Sequence, residues 1–329
     1  MVKSNIFKNN WEKSNQRYHP SDAVLHAMVS MAFPGKSLLK YQIIEGGCAN
    51  LNIQIHVTGE CSPFILRLYL RDSRAAQLEK AIGDQLAPML STVPKIYFVG
   101  TYEDITFSIA EYKQGITLRD ALIKHQCPIQ PIMEKVGYAL SQIQSVSFPT
   151  SGFFGESLKP LAPISRKTYS DFFQEVILSN KVAEVFSGDD IAHMKTLFHN
   201  HMDQLPQGTE NRLVHGDFDP ANILVSLSGK EWDITAILDW EFSFSGSPLH
   251  DVANMIRYAH RLPGNDYESA FLKGLEEGGY VLPKNWRVTI HLLNLLALLD
   301  SLNRCDLKKS PKQVLDISDL IRWIVRELE

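Results

Sequence analysis

The spacing of apolar residues divides the chain into two parts. Residues 1–18 are polar and read as a loose or docked arm, after which Pro20-Ser21-Asp22 opens a short apolar helix ending near Phe33, at Pro34-Gly35-Lys36. From Tyr41 the rhythm is that of strands. Tyr41–Glu45 leads into a turn, Gly46-Gly47-Cys48-Ala49-Asn50, and Leu51–Val57 then alternates apolar with polar residues. Phe64–Leu70 is a third strand with Arg67 in its middle, Ala76–Ile82 is a helical stretch carrying Glu79, and two further strands end at Glu111-Tyr112. Lys113-Gln114-Gly115 breaks the pattern, and beyond it helical spacing takes over.

In this second part Thr117 caps a helix over 118–125, and Ile132, Val136, Leu140 and Ile143 mark the buried face of a helix over 131–146. Helices are predicted at 168–186, 189–203, 248–260, 266–277 and 311–328, and Val288–Leu302 is apolar enough to be core. One hairpin interrupts them. The runs Ile223–Leu227 and Asp233–Leu238 flank the turn residues Ser228-Gly229-Lys230. Counting outward from the turn puts Asn222 and Asp239 within a residue or two of opposite positions, with Asp217 in the loop just before.

A carboxamide and two carboxylates thus converge. Hard oxygen donors with open positions suit Mg²⁺, which keeps waters and is completed by substrate phosphates, and a neighbouring carboxylate can take a hydroxyl proton. Those are parts of a phosphoryl-transfer site. The Gly46-Gly47 turn is open to two readings, a plain hairpin turn or a loop whose N–H groups approach a phosphate. The order of parts after it, a strand cation at Arg67 and a helix glutamate at Glu79, is that of a kinase nucleotide lobe. The extended backbone at Glu111 and Tyr112 offers N–H and C=O groups to an adenine edge. Trp240, Phe242, Phe244, Tyr258 and Trp286 read as core or as walls of a pocket for an amine, and Glu241 as a solvated charge or an ammonium receiver.

Composition narrows the classes. The 329 residues suffice for one large or two ordinary domains, and a net charge of −4 leaves no basic footprint for nucleic acid. Four scattered cysteines without a C-x-x-C pair argue against zinc and for reduced thiols in a cytoplasmic protein. No apolar run is long enough to cross a membrane, and residues 1–18 lack the apolar segment of a signal peptide.

With His215-Gly216-Asp217, Asn222, Leu238-Asp239-Trp240 and Gly246-Ser247-Pro248-Leu249-His250-Asp251 in hand, the chain resembles the aminoglycoside phosphotransferase and choline kinase-like family from about Leu39 to its end. The resemblance implies an α+β, bilobal, protein-kinase-like fold: a nucleotide lobe over residues 1–112 with a small antiparallel sheet, and a mostly helical catalytic and substrate lobe over 113–329. It also implies ATP or GTP between the lobes, Mg²⁺, and transfer of the γ-phosphoryl group to a small hydroxylated molecule. Residue by residue, Asp217 becomes the catalytic base, Asn222 and Asp239 hold the metal, and Arg67 takes the usual lysine position with Glu79 as partner. Gly46, Gly47, Asn50, Glu111 and Tyr112 line the nucleotide, while His215 and Asp251 brace the loop. A protein kinase is disfavoured, because Asp239 is followed by Trp-Glu and no activation segment follows. The remaining alternative is a nucleotide-binding module that acts through a protein partner.

Overall fold

Alternation in Leu51–Val57 becomes a strand with every odd residue buried. The computed structural model describes residues 6–11, 18–44, 50–264 and 266–329, so Gly46 and Gly47 lie outside the described residues. Helix α1 (Asp22–Ala32) starts where the Ser21 hydroxyl accepts the Val24 N–H. Strands β1 (Leu38–Ile44), β2 (Leu51–Val57) and β3 (Phe64–Tyr69) follow, then helix α2 (Ala75–Leu86) and strands β4 (Ile96–Tyr102) and β5 (Ile105–Glu111). The five strands form one antiparallel sheet in the order β1-β2-β3-β5-β4. Leu25, Met28 and Val29 of α1 close one face of that sheet over Ile53, Ile55, Leu66, Leu68, Phe107 and Ile109, a core of its own.

The helical lobe opens with a two-residue strand β6 (Ile116–Thr117), helices α3 (Leu118–Ile123) and α4 (Ile129–Gln144), and another short strand β7 (Gly152–Phe153). Helices α5 (Arg166–Ile177), α6 (Asn180–Val185) and α7 (Gly188–His201) precede strand β8 (Arg212–Val214), the hairpin strands β9 (Ile223–Ser228) and β10 (Glu231–Ile237), and β11 (Phe244–Gly246). Helices α8 (Leu249–Ile256), α9 (Asp266–Glu277), α10 (Trp286–Arg304) and α11 (Pro311–Leu328) complete the chain. The expected helix over 168–186 is two helices. The apolar spacing runs on across Leu178, but the Ser179 hydroxyl accepts the Val182 N–H and starts a new one. The short strands β6, β7, β8 and β11 escaped the sequence reading because two or three residues carry no period. No described helix is long and apolar enough to cross a membrane.

Register at the hairpin matters most for function. Ile223 pairs with Ile237, and the Leu238 N–H donates to the Asn222 carbonyl at 2.8 Å, so Asn222 faces Leu238 and Asp239 lies one residue beyond. The pairing shifts between Ile234 and Ala236, which makes Thr235 an extra residue on β10.

The lobe's core includes the predicted face of α4, whose Ile132, Val136, Leu140 and Ile143 are fully buried. Helices α4 and α9 cross at backbone contact: a Cβ on Gly274 would sit 1.9 Å from the Glu134 carbonyl oxygen. Gly274→Ala is therefore expected to force the helices apart and cost about 1–3 kcal/mol. A lowered denaturant midpoint with an unchanged slope is the readout; a midpoint within error of the parent would show that the crossing yields freely.

Candidate active site

The loop between β8 and β9 is fixed from below by one carboxylate. Asp251, in the first turn of α8 and fully buried, accepts the His215 N–H at 2.8 Å and the Gly216 N–H at 2.9 Å. Burial pushes its carboxyl up to about 7, against the pull of the two N–H groups. Gly216 has φ +85°, and a Cβ there would sit 2.3 Å from the Phe242 carbonyl oxygen, so no side chain fits. A second tie runs through amides: Asn294 of α10 accepts the Arg257 Nε–H at 2.7 Å and Arg257 bonds Asn254. Asn254 in turn donates to the Gly216 carbonyl at 3.0 Å.

His215 is committed on both nitrogens. Nε2 lies 2.9 Å from the Leu238 carbonyl, which can only accept, so Nε2 carries the proton. Nδ1 then accepts the Asp217 N–H at 3.2 Å. Burial lowers its pKa and keeps the ring neutral, packed against Trp240 at 4.4 Å. Thus His215 joins the Asp217 loop to the end of β10 and has no free nitrogen for proton transfer.

Asp217 and Asn222 are in contact. The Asn222 Nδ2 donates to the Asp217 Oδ2 at 2.9 Å and to its backbone carbonyl at 2.8 Å. Asp239 follows β10 with φ 63° and ψ 58°, a left-handed conformation that turns its carboxylate toward the sheet lobe, where it meets Arg67 Nη1. Arg67 is a bridge, since its Nη2 lies 3.2 Å from Glu79 Oε1. Burial, which opposes its charge, is outweighed by Glu79 and Asp239, and the guanidinium is held firmly protonated. Burial raises Glu79 to about 7 although Arg67 pulls the other way. Glu79 also accepts the Tyr69 hydroxyl at 2.5 Å. Tyr69 was missed in the sequence, although it stands two positions from Arg67 on the same face of β3.

Other expected nucleotide-side residues have visible duties. Asn50, buried at the start of β2, donates to Glu241 at 3.1 Å, and Arg71 reaches the same carboxylate at 3.5 Å. Glu241 is therefore a clamp between the lobes, neither a solvated charge nor an open ammonium site. Glu111 pairs with Lys113 at 2.8 Å where the sheet ends, and Tyr112 follows it in the connection to the helical lobe. Of the aromatic candidates, Trp240, Phe244 and Tyr258 are buried, and Phe242 lies under Arg71 at 5.0 Å.

The arm supplies what sequence reading did not foresee. Lys8 places its ammonium 3.2 Å from Asp217 Oδ1 and against Asp219. Asp219 also keeps the turn role expected of it, accepting the Ala221 N–H at 2.7 Å. Burial lowers the Lys8 pKa and the two carboxylates more than restore it, so the net shift is upward. Phe7 is buried beside Tyr258 and Tyr267, with ring centroids 5.8 and 5.5 Å away. Trp11 donates to Asp316 at 2.8 Å. Phe7 and Lys8 both have left-handed backbone, φ 51° and 60°. Such strain costs about 1–3 kcal/mol per residue, about 2–6 kcal/mol for the pair, against roughly 1.5–3 kcal/mol from burying one phenylalanine, so the Lys8 ion pairs must supply part of the hold.

Asn222 and Asp239 offer a carboxamide and a carboxylate oxygen with no sulfur or imidazole donor, a set that fits Mg²⁺. Among the described residues no group of three or more His, Cys, Asp or Glu is placed to hold a metal ion.

Known structures share this fold. The chain superposes on a crystal structure of a thermostable mutant of aminoglycoside phosphotransferase APH(4)-Ia in ternary complex with AMP-PNP and hygromycin B. The TM-score is 0.64 at 19% identity, covering 91% of this chain and 97% of that one. A GDP complex of an aminoglycoside 2'-phosphotransferase-IIIa mutant gives 0.66 at 16% identity, covering 93% and 100%. At such identities the likeness is one of fold, the bilobal kinase-like fold. Acyl-CoA dehydrogenase family member 11 of Pongo abelii and of Homo sapiens is 29% identical over 151 residues, a match spanning 45% of this chain and only 18% of those proteins. Residues 40–286 match the model of the phosphotransferase enzyme family, and the chain belongs to that family.

Proposed function

We propose that the protein is an ATP- and Mg²⁺-dependent O-phosphotransferase that moves the γ-phosphoryl group to a hydroxyl of a small polar acceptor. The observation that carries this reading is the contact of Asp217 with Asn222 at the foot of a hairpin whose other strand delivers Asp239 onto the Arg67–Glu79 pair. Two carboxylates and a carboxamide of the helical lobe thus stand opposite a held guanidinium of the sheet lobe, which supports a base, a metal pair and a phosphate clamp facing one cleft. Structural relatives crystallised with AMP-PNP and hygromycin B, or with GDP and kanamycin, support a nucleotide and a small polyhydroxylated partner.

In this mechanism Asp217 orients the acceptor hydroxyl and takes its proton as the oxygen attacks phosphorus. Asn222 and Asp239 would hold Mg²⁺, which supplies positive charge to the phosphate oxygens. Arg67, kept in place by Glu79, offers the phosphates a planar fork instead of a compact ammonium. The Asn50–Glu241–Arg71 contact ties the two lobes beside the nucleotide.

Asp217→Asn is expected to lower kcat by about 10²–10⁴-fold while nucleotide affinity stays unchanged. Retained turnover in that variant, with ATP and a hydroxylated acceptor identified by an ATP-depletion screen, would remove Asp217 from its role. Asp239→Ala should abolish the Mg²⁺-dependent part of nucleotide binding. Calorimetry with and without Mg²⁺ measures it, and an unaltered Mg²⁺ dependence would refute the metal assignment.

A further inference from the structure

We infer that residues 6–11 are an intramolecular plug, held by Lys8 on Asp217 and Asp219, that must leave the acceptor side of the site before transfer can begin. The inference rests on the reading of Asp217 as the group that receives the acceptor hydroxyl. Both oxygens of that carboxylate are engaged in this structure: Oδ2 by Asn222 and Oδ1 by Lys8. Asn222 belongs to the site, whereas Lys8 comes from a segment more than 200 residues away in sequence. An acceptor hydroxyl needs the oxygen that Lys8 covers.

The plug faces one half of the cleft. Phe7, Lys8 and Trp11 take their partners from the helical lobe, namely Tyr258, Tyr267, Asp217, Asp219 and Asp316. Arg67 and Glu79, on the nucleotide side, interact with each other and with Asp239 and Tyr69. Docking of the arm should therefore compete with the acceptor and leave the nucleotide alone. The segment is also poised to let go. Left-handed backbone at Phe7 and Lys8 opposes docking, and the Lys8 ion pairs that favour it end on the Asp217 loop, while Phe7 is buried beside Tyr258 and Tyr267. A contact balanced in this way can shift when a competing ligand offers Asp217 a better partner.

The test compares the full chain with Lys8→Gln and Asp219→Asn, variants that weaken the tether without altering Asp217. In each, hydrolysis of Mg-ATP in the absence of acceptor, with water attacking phosphorus to give ADP and phosphate, should rise about tenfold or more, the effect of losing one charge-assisted hydrogen bond. The KM for ATP should not change. Trypsin cleavage after Lys8 supplies a readout independent of turnover: it should be slow in the parent and clearly faster in Asp219→Asn. Unchanged or slower hydrolysis in both variants, with cleavage after Lys8 no faster in Asp219→Asn, overturns the plug while leaving the phosphotransferase reading intact. No ATP consumption in any of the three chains, acceptor screen included, sinks that reading and the plug with it.

Discussion

Two backbone N–H groups end on one buried carboxylate, and the geometry of the site hangs on that contact. A carboxylate as deeply buried as Asp251 is costly unless its oxygens are satisfied, and the N–H groups of His215 and Gly216 satisfy them. The reciprocal effect is that the loop carrying Asp217 cannot lift without exposing both sides of the bond. From that anchor the order propagates outward. His215 reaches the end of β10, Asn222 reaches Asp217, and the amide chain from Asn294 through Arg257 and Asn254 ties Gly216 to α10, a helix buried along most of its length. The rigidity that a transfer site needs is thus borrowed from the core of the helical lobe.

Above the loop the problem is one of like charges. Asp217, Asp219, Asp239, Glu79 and Glu241 crowd a single cleft, and each is met by a cation drawn from elsewhere in the chain: Lys8, Arg67 or Arg71. Arg67 is the most consequential, because it bridges a carboxylate of each lobe. A guanidinium can do this with separate nitrogens, whereas a lysine would have to share one point charge between two partners. The two lobes are thus joined through one guanidinium, with Glu79 on one side of it and Asp239 on the other.

Much of this was legible because periodicity and short motifs are local. The alternation in Leu51–Val57 and the face formed by Ile132, Val136, Leu140 and Ile143 are statements about neighbours along one element, and they appear as written. Asn222, Asp239 and Asp217 came together on paper because a hairpin turn fixes distances across a few residues. Lys8, Tyr69, Glu241 and Arg257 were not recognised for a common reason. Their partners are set by tertiary packing, and a polar residue whose partner lies far along the chain carries no mark of it in the sequence. Glu241 looked solvated because Asn50 and Arg71 belong to the other lobe. Lys8 looked like part of a polar arm because the pocket that receives Phe7 is assembled from residues beyond 250.

The extra residue at Thr235 has an effect on how this site can vary. A bulge sets two residues of one strand against one of its neighbour, so it absorbs an extra residue without changing the partners that follow and bends the strand at that point. Between the hairpin tip and Thr235 the two strands keep one register, and from Ala236 onward they keep another. Changes in length at the exposed tip around Gly229 are absorbed locally, since both strands simply grow or shorten together. Removing the one residue at 235 would leave Ala236 opposite Leu224 and Ile237 opposite Ile223 but take away the local bend and twist of the bulge. The hairpin loop is thus free to diversify, while the bulge sets the angle at which the strand delivers Asp239.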